Sequence, residues 1–313
     1  MINNKKIAII GFGRQGEMYY NLLKDRYNIV AICDAYKNDF LCNSDITYFK
    51  NIDDLIEKCD FDIAILSLPH NQYNDAIMKL AQHNKHIIKD KPLSISYEDG
   101  LFYEKLCNQY KINILTVSQK REIIVNAIRQ ILSNDEINNG NFTFRYEYLN
   151  NKGVSGWRAD KDIARGGILL DMGYHTFDVI QSLFGRFNSS NHNLSILSSK
   201  TLDDVFFANL SFDNKINGNM YLSRESDGKS HKLKLIFADK MIRLDIGNNK
   251  IFIIKQNEKQ SFDIEDEDSC YNRILDSYIQ NIDTLDFGKQ NFDYNMKIVQ
   301  VLDNLYKDCN YKI

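Results

Sequence analysis

A short β-rich run at residues 6–10 meets the loop Gly11-Phe12-Gly13-Arg14-Gln15-Gly16, and a helical stretch follows at 17–24. This strand, glycine loop and helix order constrains the fold more than any other feature. Glycine at 11 permits a tight turn out of the strand, Gly13 lets the backbone approach a pyrophosphate, and Gly16 allows close helix packing. Backbone N–H groups and the helix dipole then hold the anion. A second buried run, 29–33, ends in Asp34, 18 residues after Gly16, the spacing of a ribose-binding acid. The loop therefore predicts a dinucleotide site made by Gly11, Phe12, Gly13, Arg14, Gln15, Gly16 and Asp34. A carboxylate at 34 accepts from the adenosine ribose hydroxyls and repels a 2′-phosphate, which favours NAD. Arg14 and Lys37 are the cations that keep NADP possible.

The alternation continues as a strand at 46–49, a helix at 53–58, a strand at 61–68, a helix at 74–83, a strand at 86–89, a helix at 96–110 and a strand at 112–117. This is an α/β pattern, a doubly wound parallel sheet with ligands at the C-terminal strand edge. The only two prolines, Pro69 and Pro92, both fall just after strands of that sheet. Pro69, within the stretch Ser67-Leu68-Pro69-His70, and Lys91 are thereby placed at the ligand edge. Beyond about residue 120 the runs alternate with period 2, at 141–148, 194–198, 205–212, 216–223, 232–237, 241–246 and 250–254. They predict a second, α+β domain built on a mostly antiparallel sheet, with helices at 168–184, 271–284 and 292–306. The expected division is 1–120 and 121–313.

Composition narrows the partners. A net charge of -3 over 313 residues gives no electrostatic footprint for nucleic acid or an anionic membrane. No export signal or membrane-length apolar run is read, so a cytoplasmic protein with a small-molecule partner is expected. The six cysteines lack CxxC spacing, so free thiols and no metal site are the expectation.

Two groups carry possible chemistry. Lys91 at the sheet edge can polarise an alkoxide or carbonyl oxygen. Asp171 and His175 are four residues apart in a predicted helix, on one face, where an imidazole can take a hydroxyl proton and a carboxylate can orient it. Spacing alone favours a surface pair, and Asp178 reads as an orienting or capping residue. Tyr146, Tyr148, Trp157, Arg158, Arg165 and Arg224 are pocket candidates, the arginines for a carboxylate or phosphate, with a structural role left open for each.

Asp90-Lys91-Pro92-Leu93 resembles the Glu-Lys-Pro motif of the glucose–fructose oxidoreductase, inositol dehydrogenase and MocA family. Gly166-Gly167 with Asp171 and His175 resembles that family's Gly-Gly-Gly-x-x-x-Asp-x-x-x-His helix. The likeness runs through Trp157-Arg158-Ala159-Asp160 and Phe212-Asp213-Asn214-Lys215 to the closing helix. It implies a Rossmann domain and a second domain with a large open sheet that builds homodimers or homotetramers. It implies a catalytic trio of Lys91, Asp171 and His175, with Ser67 to His70 beside the nicotinamide ribose and Trp157 and Arg158 near the substrate. The implied reaction is hydride transfer between NAD and a secondary alcohol of a sugar, cyclitol or nucleotide-sugar. His175 would serve as base. Reduction of an imine, tetrapyrrole or enone, and a non-catalytic dinucleotide-binding regulator, are the alternatives. Asp90 departs from the family's Glu, Arg165 stands at a glycine position, and His70-Asn71-Gln72-Tyr73 differs from the usual Asn-x-x-His.

Overall fold

The computed structural model describes residues 5–36, 46–151, 153–197, 201–256 and 258–311; Lys37 and Cys42 lie outside them. These residues pack as two compact units, Met1–Val117 with Tyr271–Val299, and Ser118–Cys270 with Gln300–Ile313.

The first unit is built on six parallel strands, β1 (Lys6–Ile10), β2 (Asn28–Cys33), β3 (Thr47–Phe49), β4 (Ile63–Leu66), β5 (His86–Asp90) and β6 (Ile114–Val117). Their order is β3-β2-β1-β4-β5-β6. Helices α1 (Arg14–Leu23), α2 (Ile52–Lys58), α3 (Tyr73–Gln82) and α4 (Tyr97–Tyr110) connect them. Every residue of β4 and β6 is buried, as a parallel sheet covered on both faces requires. Local capping sets the helix starts: Asn51 accepts from Asp54 N at 2.8 Å, and Ser96 from Asp99 N at 3.0 Å.

The contiguous 121–313 division differs from the observed packing because α9 (Glu267–Gln280) and α10 (Leu285–Asp308) contribute most of their length to the first unit. Side chains from this segment satisfy backbone groups of the edge strand β6. Tyr278 donates to the Thr116 carbonyl at 2.9 Å, and Asn291 Oδ1 accepts from Thr116 N at 2.9 Å. An exposed strand edge is otherwise a pairing liability. Sequence-distant partners of this kind leave no local signal.

In the second unit, α5 (Gln119–Arg129) and α6 (Asn134–Asn138) lead into β7 (Phe142–Leu149), and α7 (Lys161–Ala164) precedes a π-helical turn, Leu169–Gly173, that runs into α8 (Tyr174–Phe184). Strands β8 (Phe187–Ser195), β9 (Val205–Phe212), β10 (Asn217–Ser223), β11 (Ser230–Phe237), β12 (Met241–Asp245), β13 (Lys250–Lys255) and β14 (Glu258–Asp263) complete the sheet. Its order is β14-β13-β12-β11-β7-β10-β9-β8, antiparallel except that β7 and β10 run parallel. The first residues of β7 alternate buried and exposed. The inward set packs on α8, with Phe144 and Phe184 ring centroids 5.2 Å apart and Phe177 against Phe206 at 6.2 Å. Sequence reading misses α5, α6, α7 and β14, and it places at 194–198 the strand that runs over Phe187–Ser195 as β8. All six residues of β14 are exposed, so it carries no period-2 burial signal. Among the described residues no helix is long and apolar enough to cross a membrane.

Candidate active site

The strand order reverses between β1 and β4, and the glycine loop sits at that switch point. Ser67 N donates to the Ile10 carbonyl at 2.8 Å, which brings the end of β4 beside Gly11. Gly11 has φ +88°, and a Cβ there would overlap the Ser67 carbonyl. A Cβ on Gly16 would overlap the Gly11 carbonyl. A Cβ on Gly13, by contrast, meets no atom of the described residues within 4 Å. Gly11 and Gly16 are therefore required by the fold itself, whereas Gly13 leaves open space at the start of α1. Its N-cap residue, Gly13, has no side chain to cap it. Bare backbone at a helix N-terminus with open space before it fits a pyrophosphate.

Asp34 turns toward the same loop. Its Oδ2 accepts from Phe12 N at 2.5 Å and its Oδ1 from Tyr36 N at 2.8 Å. The carboxylate thus fixes the loop, and each oxygen keeps a second lone pair for a ribose hydroxyl. Phe12 is buried and meets Tyr20 edge-on, Arg14 is exposed, and Gln15 donates to the Tyr271 hydroxyl at 3.3 Å. After β4, Pro69 leads into a short 3-10 turn, His70–Gln72, with the His70 ring tilted over Tyr73 at 6.0 Å.

Lys91 follows β5 in the same unit, joined to Pro92 by a cis peptide bond. The residue that organises its turn is Lys89, which sequence reading passes over. Lys89 is fully buried, donates to the carbonyls of Asp90 at 3.1 Å and of Pro92, and lies 4.1 Å over the Tyr73 ring. Burial pulls this ammonium down to about 7, with Asp90 opposing and Lys91 reinforcing the shift. The available signal is a lysine that directly continues the apolar run Ile87-Ile88. Asp90, in the position of the family's Glu, accepts from the Tyr19 hydroxyl at 3.3 Å.

Asp171 and His175 lie in the second unit. Asp171 sits in the π-helical turn and His175 in the first turn of α8, so a uniform helix over 168–184 is corrected to a π-turn followed by α-helix. The start of this element is held by residues distant in sequence. Asp203 accepts from Gly167 N at 2.6 Å and from Leu169 N at 2.7 Å, and its own carbonyl accepts from Ile168 N at 2.8 Å. The Tyr306 hydroxyl accepts from Leu170 N at 3.0 Å. Four successive N–H groups, which a helix start leaves without internal partners, are all bound. The glycines follow from this closeness: a Cβ on Gly167 would overlap the Asp203 backbone, and one on Gly166 would sit 2.7 Å from the Tyr306 oxygen.

His175 is 4% exposed. Asp171, its side chain 37% exposed, accepts from Arg224 Nη2 at 2.9 Å. Tyr148 is part of the same neighbourhood, its phenol pushed up by burial and then by Asp171, with Arg224 opposing. Asp178 is fully buried, 3.5 Å from an Arg121 nitrogen. Tyr146 proves a core residue: it is fully buried and shares a 2.8 Å hydrogen bond with His231, whose imidazole burial and then Lys120 push down to about 3. Trp157 and Arg158 stack on each other at 4.4 Å in a separate 3-10 turn, Gly156–Ala159. Arg165 is exposed at φ +67°, a left-handed position, which accounts for the glycine common there.

Residues 5–117 match the family model described as an oxidoreductase family with an NAD-binding Rossmann fold, and residues 126–243 match the Gfo/Idh/MocA C-terminal domain. The chain belongs to the Gfo/Idh/MocA family. It carries that family's NAD-binding Rossmann domain. Among curated Gfo/Idh/MocA relatives, the rhizopine catabolism protein MocA of Rhizobium meliloti is 22% identical over 202 residues, 63% of this chain and 61% of the relative. The scyllo-inositol 2-dehydrogenase (NADP(+)) IolW of Bacillus subtilis is 21% identical over 193 residues, 59% of this chain and 53% of the relative. The chain thus spans about half to three fifths of these relatives. The fold matches the 3-ketoreductase KijD10 of Actinomadura kijaniata, solved with NADP and TDP-benzene, with TM-score 0.82 at 14% identity over 96% of each chain. It also matches a levoglucosan dehydrogenase solved with NADH and levoglucosan, TM-score 0.79 at 16% identity, over 98% of this chain and 97% of the other.

Proposed function

We propose that this chain is an NAD(P)-dependent oxidoreductase acting on a secondary alcohol of a sugar-like or cyclitol substrate. The carrying observation is that Asp171 and His175 stand on one helix start whose N–H groups are all fixed by Asp203 and Tyr306. Such rigidity is what a positioned general base needs. Family membership supports Lys91 as the second contributor, on a turn clamped by Lys89.

In this reading His175 removes the hydroxyl proton, Asp171 accepts a hydrogen bond from a neighbouring hydroxyl, and Lys91 donates to the reacting oxygen. The nicotinamide, when bound, takes up the hydride. The backbone at Gly13 and the α1 N-terminus would hold the pyrophosphate, and Asp34 the ribose. Asp34 favours NAD over NADP. Relatives named for scyllo-inositol and levoglucosan support a neutral polyol. The outward face of the second unit's sheet, where Phe207 and Ile236 are more than one third exposed, is the proposed surface for homo-oligomers.

The test mixes purified protein with NAD or NADP and a panel of cyclitols, anhydrosugars and nucleotide-sugars, following absorbance at the reduced-nicotinamide band. Turnover with at least one alcohol is expected. Tight dinucleotide binding without turnover on any of them would favour a regulatory protein instead.

A further inference from the structure

From sequence, Arg224 is either an anchor for a carboxylate or phosphate or a structural residue. Its placement argues against the anchor. The Arg224 side chain is 7% exposed and donates through Nη2 to Asp171 at 2.9 Å. Its Nη1 is buried with no acceptor among the described residues, so Asp171 is the carboxylate on which this cation depends. Both members of the pair hang from one short segment. Arg224 N donates to the Asp204 carbonyl at 3.0 Å, while the adjacent Asp203 binds the helix start that carries Asp171.

Tyr148 and Asn150 lie beside the pair. Asn150 N donates to the carbonyl of Ser223, the residue before Arg224, and the Asn150 amide donates to the Tyr148 hydroxyl at 3.3 Å. The sequence neighbour Glu225 is exposed. A carboxylate or phosphate brought against the more exposed Asp171 would meet like charge, with the compensating cation buried behind it. A hydroxyl would meet an acceptor.

We propose that Arg224 is a positioning residue that fixes Asp171 as a hydroxyl acceptor, so that this subsite takes an uncharged polyol face rather than an anionic group. The proposal rests on the polyol reading above, and it deepens that reading by specifying the substrate's charge.

The test measures melting temperatures of the full chain, the Asp171→Ala variant and the Asp171→Ala/Arg224→Met double variant, titrated with sodium formate or sodium gluconate against sodium chloride at equal ionic strength. The expected result is a saturable, anion-specific rise of several degrees in Asp171→Ala alone, because the added carboxylate replaces the missing one. The full chain and the double variant show none. A carboxylate-specific shift in the full chain that vanishes in Arg224→Met would make Arg224 an open anion site and overturn the proposal. No shift in Asp171→Ala, or the same shift in the double variant, would overturn it equally. Should Asp171→Ala fail to fold, Asp171→Ser, which also leaves the carboxylate's place open, is titrated in the same way and decides the question. Melting does not require hydride transfer, so failure of the oxidoreductase reading is registered separately.

Discussion

The Tyr306 hydroxyl donates to Asp203 Oδ1 at 3.0 Å while accepting from Leu170 N, so a residue of the closing helix and a residue before β9 jointly cap the helix start that carries Asp171 and His175. Removing the phenol oxygen leaves a buried N–H without its acceptor and a buried carboxylate short of a donor. Tyr306→Phe is expected to cost about 1–3 kcal/mol, read by urea denaturation. Activity should fall as well, because the capped segment positions both proposed site residues. An unchanged denaturation midpoint would show that the cap contributes nothing.

The three glycines of the cofactor loop separate by function. Gly16→Ala should destabilise the fold, since the new Cβ overlaps the Gly11 carbonyl, whereas Gly13→Ala meets no atom of the described residues. Gly13→Ala is therefore expected to melt like the parent chain yet bind NADH at least about tenfold more weakly, a difference of about 1.4 kcal/mol. Fluorescence titration of NADH alongside a thermal melt separates the two effects, and equal NADH affinity in the Gly13 variant would place the pyrophosphate elsewhere.

Lys89 should give opposite signs in stability and activity. Its folded value near 7 lies below the ordinary 10.5, so the unfolded chain binds more protons between those values, and stability lost to burying this group grows as pH falls from about 10.5 to 7. Lys89→Met removes that loss. Its stability advantage over the parent should be smallest near pH 10 and grow toward pH 7, on the order of 5 kcal/mol from burial alone, reduced by what the two hydrogen bonds to carbonyls contribute in the parent. Turnover should nevertheless drop, because the Asp90 and Pro92 carbonyls flanking Lys91 lose their common donor. A stability difference independent of pH across this window would contradict the account.

Arg165 stores a small local strain. Replacing a left-handed non-glycine residue by glycine relieves the Cβ clash against a modest entropic cost, so Arg165→Gly should raise stability by about 0.5–1 kcal/mol. Calorimetry on the two proteins measures it. A loss of stability would mean that the Arg165 side chain stabilises the fold by more than the strain costs.

The parallel sheet is legible in the sequence because its signals are local: the glycine loop, the apolar runs and Asp34 each lie within a few residues of the element they define. Strand β9 has the bounds its alternation predicts, 205–212, since that alternation is intact. What is not legible depends on partners far along the chain. Asp203 and Tyr306 act on N–H groups 34 to 136 positions away. Gly166 and Gly167 stand out as a motif, but the reason for them, the close approach of those two residues, is tertiary. Arg224 shows in the sequence only as a cation, because its pairing with Asp171 spans 53 positions. Lys89 is hidden by its neighbour Lys91, although a lysine in an apolar strand is itself a signal. The π-turn before α8 also escapes, since an apolar run such as Ile168-Leu169-Leu170 does not distinguish it from an α-helix.

The central claim is that His175 and Lys91 serve hydride transfer to or from a bound dinucleotide, and it is tested most directly by steady-state turnover of His175→Asn and Lys91→Met on an alcohol accepted by the parent chain, with NADH affinity measured in parallel. The account predicts turnover reduced by about 100-fold or more in His175→Asn, the scale of a lost general base, with NADH affinity and melting temperature of that variant close to the parent's. Near-parental turnover in both variants would contradict it.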